Sequence, residues 1–281
     1  WIKRRNASAT HVLTDVVRGT DSQLFSNQIV GEETNTDHVT GFISDGFSLG
    51  SGTSGTYPST NNNNGTYVAW NWKANGSGVS NNDGSVQSTV SANTDAGFSI
   101  VNWTVPSTGY TVGHGLDQAP DMVIVRGQNE TTQWWVWHTS LGNANQSFIQ
   151  LNNETATGAN SSAWNNAAPT PTVFSTLAGY IISTGKKGLA YCFHSVDGFS
   201  HFGTYVGAGG KAHVHTGFRP AFVMIRTTAT DGWAMFDSAR DPDNGLGFYL
   251  YANSAQGQDP SPNTRLDFLS NGFRIRNNSG P

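Results

Sequence analysis

The stretch Met122 to Trp137, MVIVRGQNETTQWWVW, sets the pattern of the chain. A short apolar run ends in an arginine, a polar turn follows, and a second apolar run closes it. Both runs are rich in β-branched and aromatic residues, which predicts two strands joined by a loop. The pattern returns at Phe222 to Phe236, FVMIRTTATDGWAMF, and in shortened form at Trp1 to Leu13, WIKRRNASATHVL. Recurrence of this kind marks related structural units. Val39 to Gly50, VTGFISDGFSLG, alternates around an Asp45–Gly46 turn, and RLDFLSNGFRIRN near the other end matches it. In TYVAWNWKA, Val68, Trp70 and Trp72 fall on one strand face.

No window carries an apolar period of 3.6 residues free of Gly, Asn or β-branched residues. The predicted fold is therefore all-β, built of tandem antiparallel β-sandwich (jelly-roll-like) units. A propeller needs shorter repeats than the strand-end arginines show, since these lie about a hundred residues or more apart. The units are placed at residues 1–75, 96–207 and 208–281, with the polar Gly/Ser/Asn stretch 76–95 as a linker between the first two. The first unit lacks the opening stretch of the others, and the third stops before any counterpart of TYVAWNWKA. The chain starts at Trp1 inside a strand pattern. This predicts a piece of a longer protein, and fits equally a chain whose first and last units complete each other.

Composition narrows the function. Charged residues make up only 12% of the chain and the net charge is -4, which argues against a protein built to grip a nucleic-acid backbone. The polar surface rests on hydroxyls, amides and aromatic faces, and suits an extracellular or virion protein that meets polymers. No run approaches the roughly 20 apolar residues of a membrane-spanning helix. The single cysteine, Cys192, lies in the apolar run LAYCFH and reads as a buried thiol.

Aromatic rings are the predicted ligand contacts, because exposed Trp and Tyr stack on sugar faces. Trp134 and Trp135 must point to opposite faces of a strand, so one of them can leave the core. Trp164 and Tyr57 lie in polar loops, and these four residues form the carbohydrate-binding set. No metal site is specified, although two places have suitable donors. His213 and His215 share a strand face. Asp241 and Asp243, in DPDNG, offer oxygen ligands for calcium without the spacing of the twelve-residue loop. His194, His201, Tyr205 and Arg240 have the chemistry of a polysaccharide lyase, but the spacing does not bring them together. Asp15 with Arg18, and Asp237 with Arg240, recur three residues apart; a repeated pair of this kind reads as an ion pair pinning a turn. WWVWHTSLG has neither partner.

The motifs GHGLDQAPDMVIVR, WWVWHTSLG, GLAYCFHSVDGFSHFGTYVG, HTGFRPAFVMIRT and GWAMFDSAR together resemble an uncharacterised repeat family of tail-fibre and virion structural proteins of marine tailed phages, cyanophages among them. The resemblance runs over nearly the whole chain. It implies an extracellular virion component that forms homo-oligomers or binds other virion proteins and has no established catalytic residues; the aromatic candidates make cell-surface polysaccharide the expected target. It also implies that the Asn-x-Ser/Thr sequons, such as those at Asn64 and Asn129, carry no glycans. Two rivals remain: a non-binding structural or capsid-decorating protein, and a polysaccharide lyase.

Overall fold

The computed structural model describes residues 1–52, 55–56, 60–209, 212–260 and 265–276. The chain is all-β, and every strand pair is antiparallel apart from one isolated bridge, Val86 to Val112. In the first part lie β1 (Ile2–Arg4), β2 (His11–Asp15), β3 (Gly19–Leu24), β4 (Glu33–Thr34), β5 (Val39–Ile43), β6 (Gly46–Leu49) and β7 (Tyr67–Ala69). The middle holds β8 (Val79–Asn81), β9 (Ser88–Asn93), β10 (Phe98–Thr104), β11 (Tyr110–Gly113), β12 (Met122–Gly127), β13 (Trp135–His138), β14 (Ser147–Gln150), β15 (Gly158–Ala159), β16 (Val173–Thr176) and β17 (Lys187–Phe193). The last part holds β18 (His213–His215), β19 (Phe222–Ile225), β20 (Ala234–Asp237), β21 (Phe248–Tyr251), β22 (Asp259–Pro260), β23 (Leu266–Leu269) and β24 (Gly272–Ile275).

Three inner sheets repeat one order. They read β4-β3-β2-β1-β7, then β15-β14-β13-β12-β17-β10-β9-β8, then β22-β21-β20-β19. Small outer sheets accompany them: β5-β6, β11-β16 and β18-β24-β23. The stretch expected to be a linker, 76–95, instead supplies β8 and β9 to the middle sheet. Its Ser, Thr and Asn side chains suit a sheet margin, where apolar residues are not needed on both faces.

Strand alternation sends successive side chains to different cores. From β12 and β13, Met122, Ile124 and Val136 enter a core common to all three parts, together with Trp134, Leu13, Leu24, Trp233 and Leu250. Val123, Val125 and Trp137 enter a second core beneath β11 and β16. In the last part Met235 joins the common core while Ala234 and Phe236 face a third core against β23 and β24.

The three parts interlock through one repeated set of bonds. Pairing register makes His11, Trp134 and Trp233 equivalent, and likewise Phe25, Gln150 and Tyr251. Trp134 Nε1 donates to the Phe25 carbonyl at 2.8 Å, and Trp233 Nε1 to the Gln150 carbonyl at 2.9 Å. His11 Nε2 donates to the Tyr251 carbonyl at 3.0 Å, its Nδ1 being taken by the Trp1 indole N–H at 2.8 Å. Each part therefore grips the one before it, and the first grips the last. Main-chain bonds follow the same cycle, from Thr132 to Ile29, Asp231 to Glu154 and Ala9 to Ala255. Asn27, Asn152 and Asn253 accept from the amides of His11, Trp134 and Trp233.

A strand-end cation completes each junction. Arg126 reaches the carbonyls of Gln28, Val30 and Thr132, and Arg226 those of Gln150, Asn153 and Thr155. Lys3 fills the third place, bonding the carbonyls of Ala9 and Ala255. Arg126 also lies 5.2 Å from the Trp134 ring centroid and Arg226 5.5 Å from that of Trp233. Burial, then the neighbouring Arg18, lowers the Arg126 pKa to about 10, which leaves it charged at neutral pH.

Candidate functional site

The recurring Asp–Arg pairs are buried ion pairs that pin turns, as their spacing implied. Arg18 Nε meets Asp15 Oδ2 at 2.6 Å, and Arg240 Nε meets Asp237 Oδ2 at 2.6 Å. Burial works against the Arg18 charge, but Asp15, Tyr191 and Glu32 hold its pKa above the ordinary value. At Arg240 burial wins over Asp237 and the pKa falls. Each carboxylate also accepts from the neighbouring part: Asp15 from Tyr191 Oη at 2.9 Å, and Asp237 from Trp70 Nε1 at 3.1 Å. In the middle part His138 stands in the aspartate's place, with Nδ1 accepting from the Ser140 amide at 3.1 Å. These groups serve assembly. Arg240, one of the four lyase-type residues, is buried in this network.

The four aromatic candidates separate. Trp134 is 0% exposed and Trp164 1% exposed, so neither presents a ring face to a sugar. The Trp164 indole, from a loop that folds over the second core, donates to the Ser147 carbonyl at 2.9 Å. Both were expected to be sugar contacts; Trp134 instead enters the common core, and Trp164 is packed into the second core beneath the outer layer. Tyr57 lies outside the described residues. Trp135 is half-buried and belongs to a surface cluster, its ring 4.5 Å from Phe148 and 5.5 Å from Tyr180. Tyr180 is 37% exposed. Phe148 lies against Gly158, where an added Cβ would meet the ring at 2.5 Å, so glycine lets the aromatic ridge sit flat. Nearby polar groups are already fixed: Glu130 Oε1 accepts from the Ser183 amide at 2.8 Å, and Asn129 Oδ1 from the Lys187 amide at 3.0 Å.

A second aromatic cluster was not singled out from sequence. Trp72, 39% exposed, lies 6.3 Å from Trp1, 6.2 Å from Phe193 and 6.0 Å from Phe222. The signal was present in AWNW, whose alternation puts Trp70 and Trp72 on one face. Trp70 is buried and Trp72 sits at the rim.

Among the described residues, no group of three or more His, Cys, Asp and Glu is placed to hold a metal. His213 and His215 are exposed on β18, with His213 directly across from Arg274, whose charge opposes a cation there. Asp241 Oδ2 already accepts from the amides of Gly247 at 2.7 Å and Phe248 at 3.2 Å; Asp243 is exposed. Burial pushes the Cys192 thiol pKa up, in keeping with a structural role. Trp1, Val12, Val39, Phe42 and Phe47 line an open depression with a volume of about 30 Å³. It lies below the usual size of a small-molecule pocket, and His194, His201 and Tyr205 do not line it.

An all-β repeat protein whose parts close on one another, with aromatic clusters at its surface, is the class these observations define. The chain belongs to the family described as Domain of unknown function (DUF7483), whose model matches residues 1–281. No curated protein and no solved structure matches it.

Proposed function

We propose that this chain is a structural and adhesive module of a virion appendage such as a tail fibre, displayed outside the cell and binding surface glycans. In this reading the three parts are jelly-roll-like β-sandwich units. The observation that carries it is the surface cluster of Trp135, Phe148 and Tyr180. Aromatic faces bordered by fixed amide and carboxylate groups match the alternating apolar and hydroxyl faces of a sugar ring. The weakly charged, amide-rich surface fits a neutral or mildly anionic polysaccharide. A broad, shallow contact also fits a long polymer better than a small molecule. Several weak sites on an oligomeric appendage would add through avidity.

The test is binding of the whole chain to an array of bacterial and algal surface polysaccharides, with the same mixtures followed in the ultraviolet for unsaturated products. Binding without product supports the adhesive reading. New absorbance would replace it with a lyase, and no binding would favour a purely structural protein.

A further inference from the structure

The cyclic repeat has one position filled twice and left open once. β7 lies beside β1, and β17 lies beside β12. Ala69 and Ala190 occupy equivalent registers there, opposite Ile2 and Val125. Each is followed by an aromatic, any residue and a second aromatic: Trp70 and Trp72 in one case, Tyr191 and Phe193 in the other. The equivalent strand in the last part is β19, which pairs with β20 and, among the described residues, with no strand on its other edge. Ser238 N bonds to the Ala221 carbonyl at 3.0 Å. By antiparallel alternation the main-chain groups of Phe222 and Met224 then point to the open edge.

A second segment leaves apolar side chains uncovered in the same way. In the middle part β17 is flanked on its other side by β10, which follows Gly97 at φ +62° and begins Phe98–Ser99. In the last part Gly198 at φ +75° precedes Phe199–Ser200, so residues 199–206 match β10 in sequence, although they form no strand here. Phe98 is 5% exposed because it packs on Phe193 at 4.9 Å and Tyr191 at 6.3 Å, the two aromatics of β17. Its counterpart Phe199 is 61% exposed. Val105 is 1% exposed and its counterpart Val206 is 90% exposed. Apolar side chains are therefore laid out for a neighbour that none of the described residues supplies.

We infer that β19 and residues 199–206 form a strand-acceptor slot, which takes one extended polypeptide segment of the pattern small–aromatic–any–aromatic from outside these described residues. Main-chain bonds to Phe222 and Met224 hold the segment, and its two aromatics enter the common core beside Phe199. This is strand addition, with affinity from the backbone and specificity from alternate side chains. The first aromatic arrives at His138, by analogy with Tyr191 on Asp15 and Trp70 on Asp237. Because His138 Nδ1 already accepts a bond, Nε2–H is left as donor, so a tyrosine, whose hydroxyl can accept, suits that place better than tryptophan.

The experiment uses the whole chain and a labelled synthetic peptide with the sequence of residues 65–74, GTYVAWNWKA, with Trp70 also replaced by Tyr. Fluorescence anisotropy should show saturable binding, stronger for the Tyr peptide and lost when both aromatics are alanine. Hydrogen exchange should slow at the amides of Phe222 and Met224 in the complex. Phe199→Ser, at a position already exposed, should leave the free protein folded and weaken binding about 10-fold, equivalent to ~1.4 kcal/mol. Absence of binding by either aromatic peptide, or equal binding by the alanine peptide, overturns the inference. Self-association of the chain that these peptides fail to compete away would assign the edge to a second copy instead and overturn it as well.

Discussion

The indole N–H of Trp134 donates to the main-chain carbonyl of Phe25 at 2.8 Å, tying the middle of the chain to its beginning. Trp233 repeats the bond to Gln150, and His11 repeats it to Tyr251, so three local hairpins become one closed cycle. Trp134→Phe removes the indole donor together with part of the fully buried ring, while the Phe25 carbonyl keeps its bond from the Gln28 amide. The expected loss is about 1–3 kcal/mol of folding stability. Urea unfolding followed by circular dichroism measures it. An unchanged midpoint would show that the indole of Trp134 does not hold the junction.

The Asp237–Arg240 pair is nearly sealed, with side-chain exposures of 5% and 2%. Asp237→Asn leaves the Arg240 charge buried without its partner and also weakens the bond from Trp70. Loss of one partner of a buried pair costs roughly 3–5 kcal/mol. The variant should unfold at markedly lower temperature in calorimetry, whereas Asp243→Asn, on the exposed loop, should shift the midpoint little.

Much of this frame was legible in the sequence because it recurs there. The Asp and Arg three residues apart at Asp15 and Asp237 announced the turn-pinning pairs, and the return of MVIVR as FVMIR announced the equivalent strands β12 and β19. Trp134 and Trp164 were misplaced for a physical reason. Alternation tells which residues share a face, but not whether the second face is covered. Here the outer sheets bury it, so Val123 and Trp137 are as deep as Ile124 and Trp134. The strand β8 was hidden by its composition, since a marginal strand of Ser and Asn looks like a loop. The cyclic closure was half visible: the incomplete first and last units were noted, but a bond such as Lys3 to Ala255 leaves no local mark.

Acid should weaken the fold before the carboxylates titrate. Burial lowers the pKa of His11, His114 and His138 below the ordinary histidine value. In the unfolded chain these rings take up protons near pH 6.5, while in the fold they stay neutral to lower pH. The unfolded state then binds more protons below about pH 6.5, and stability falls as pH drops through that range. Urea midpoints should decline between about pH 6.5 and 5. His138→Asn keeps an acceptor for the Ser140 amide and removes one titrating ring, so the decline should be shallower.

The proposed glycan surface separates from the assembly residues by its effect on binding alone. Tyr180 is the most exposed ring of its cluster, and Trp135 lies beneath it against Phe148. Tyr180→Ala removes a stacking face with little buried area, so stability should change by less than about 0.5 kcal/mol. Trp135→Ala also opens the packing on Phe148 and should cost both stability and binding. On a polysaccharide that binds the parent chain, Tyr180→Ala should weaken binding about 10-fold per site, or ~1.4 kcal/mol. Because linked sites amplify small losses, a monovalent format such as calorimetry with short oligosaccharides gives the cleaner reading. Full binding by a folded Tyr180→Ala variant would remove this cluster from the contact and direct attention to the exposed rim at Trp72.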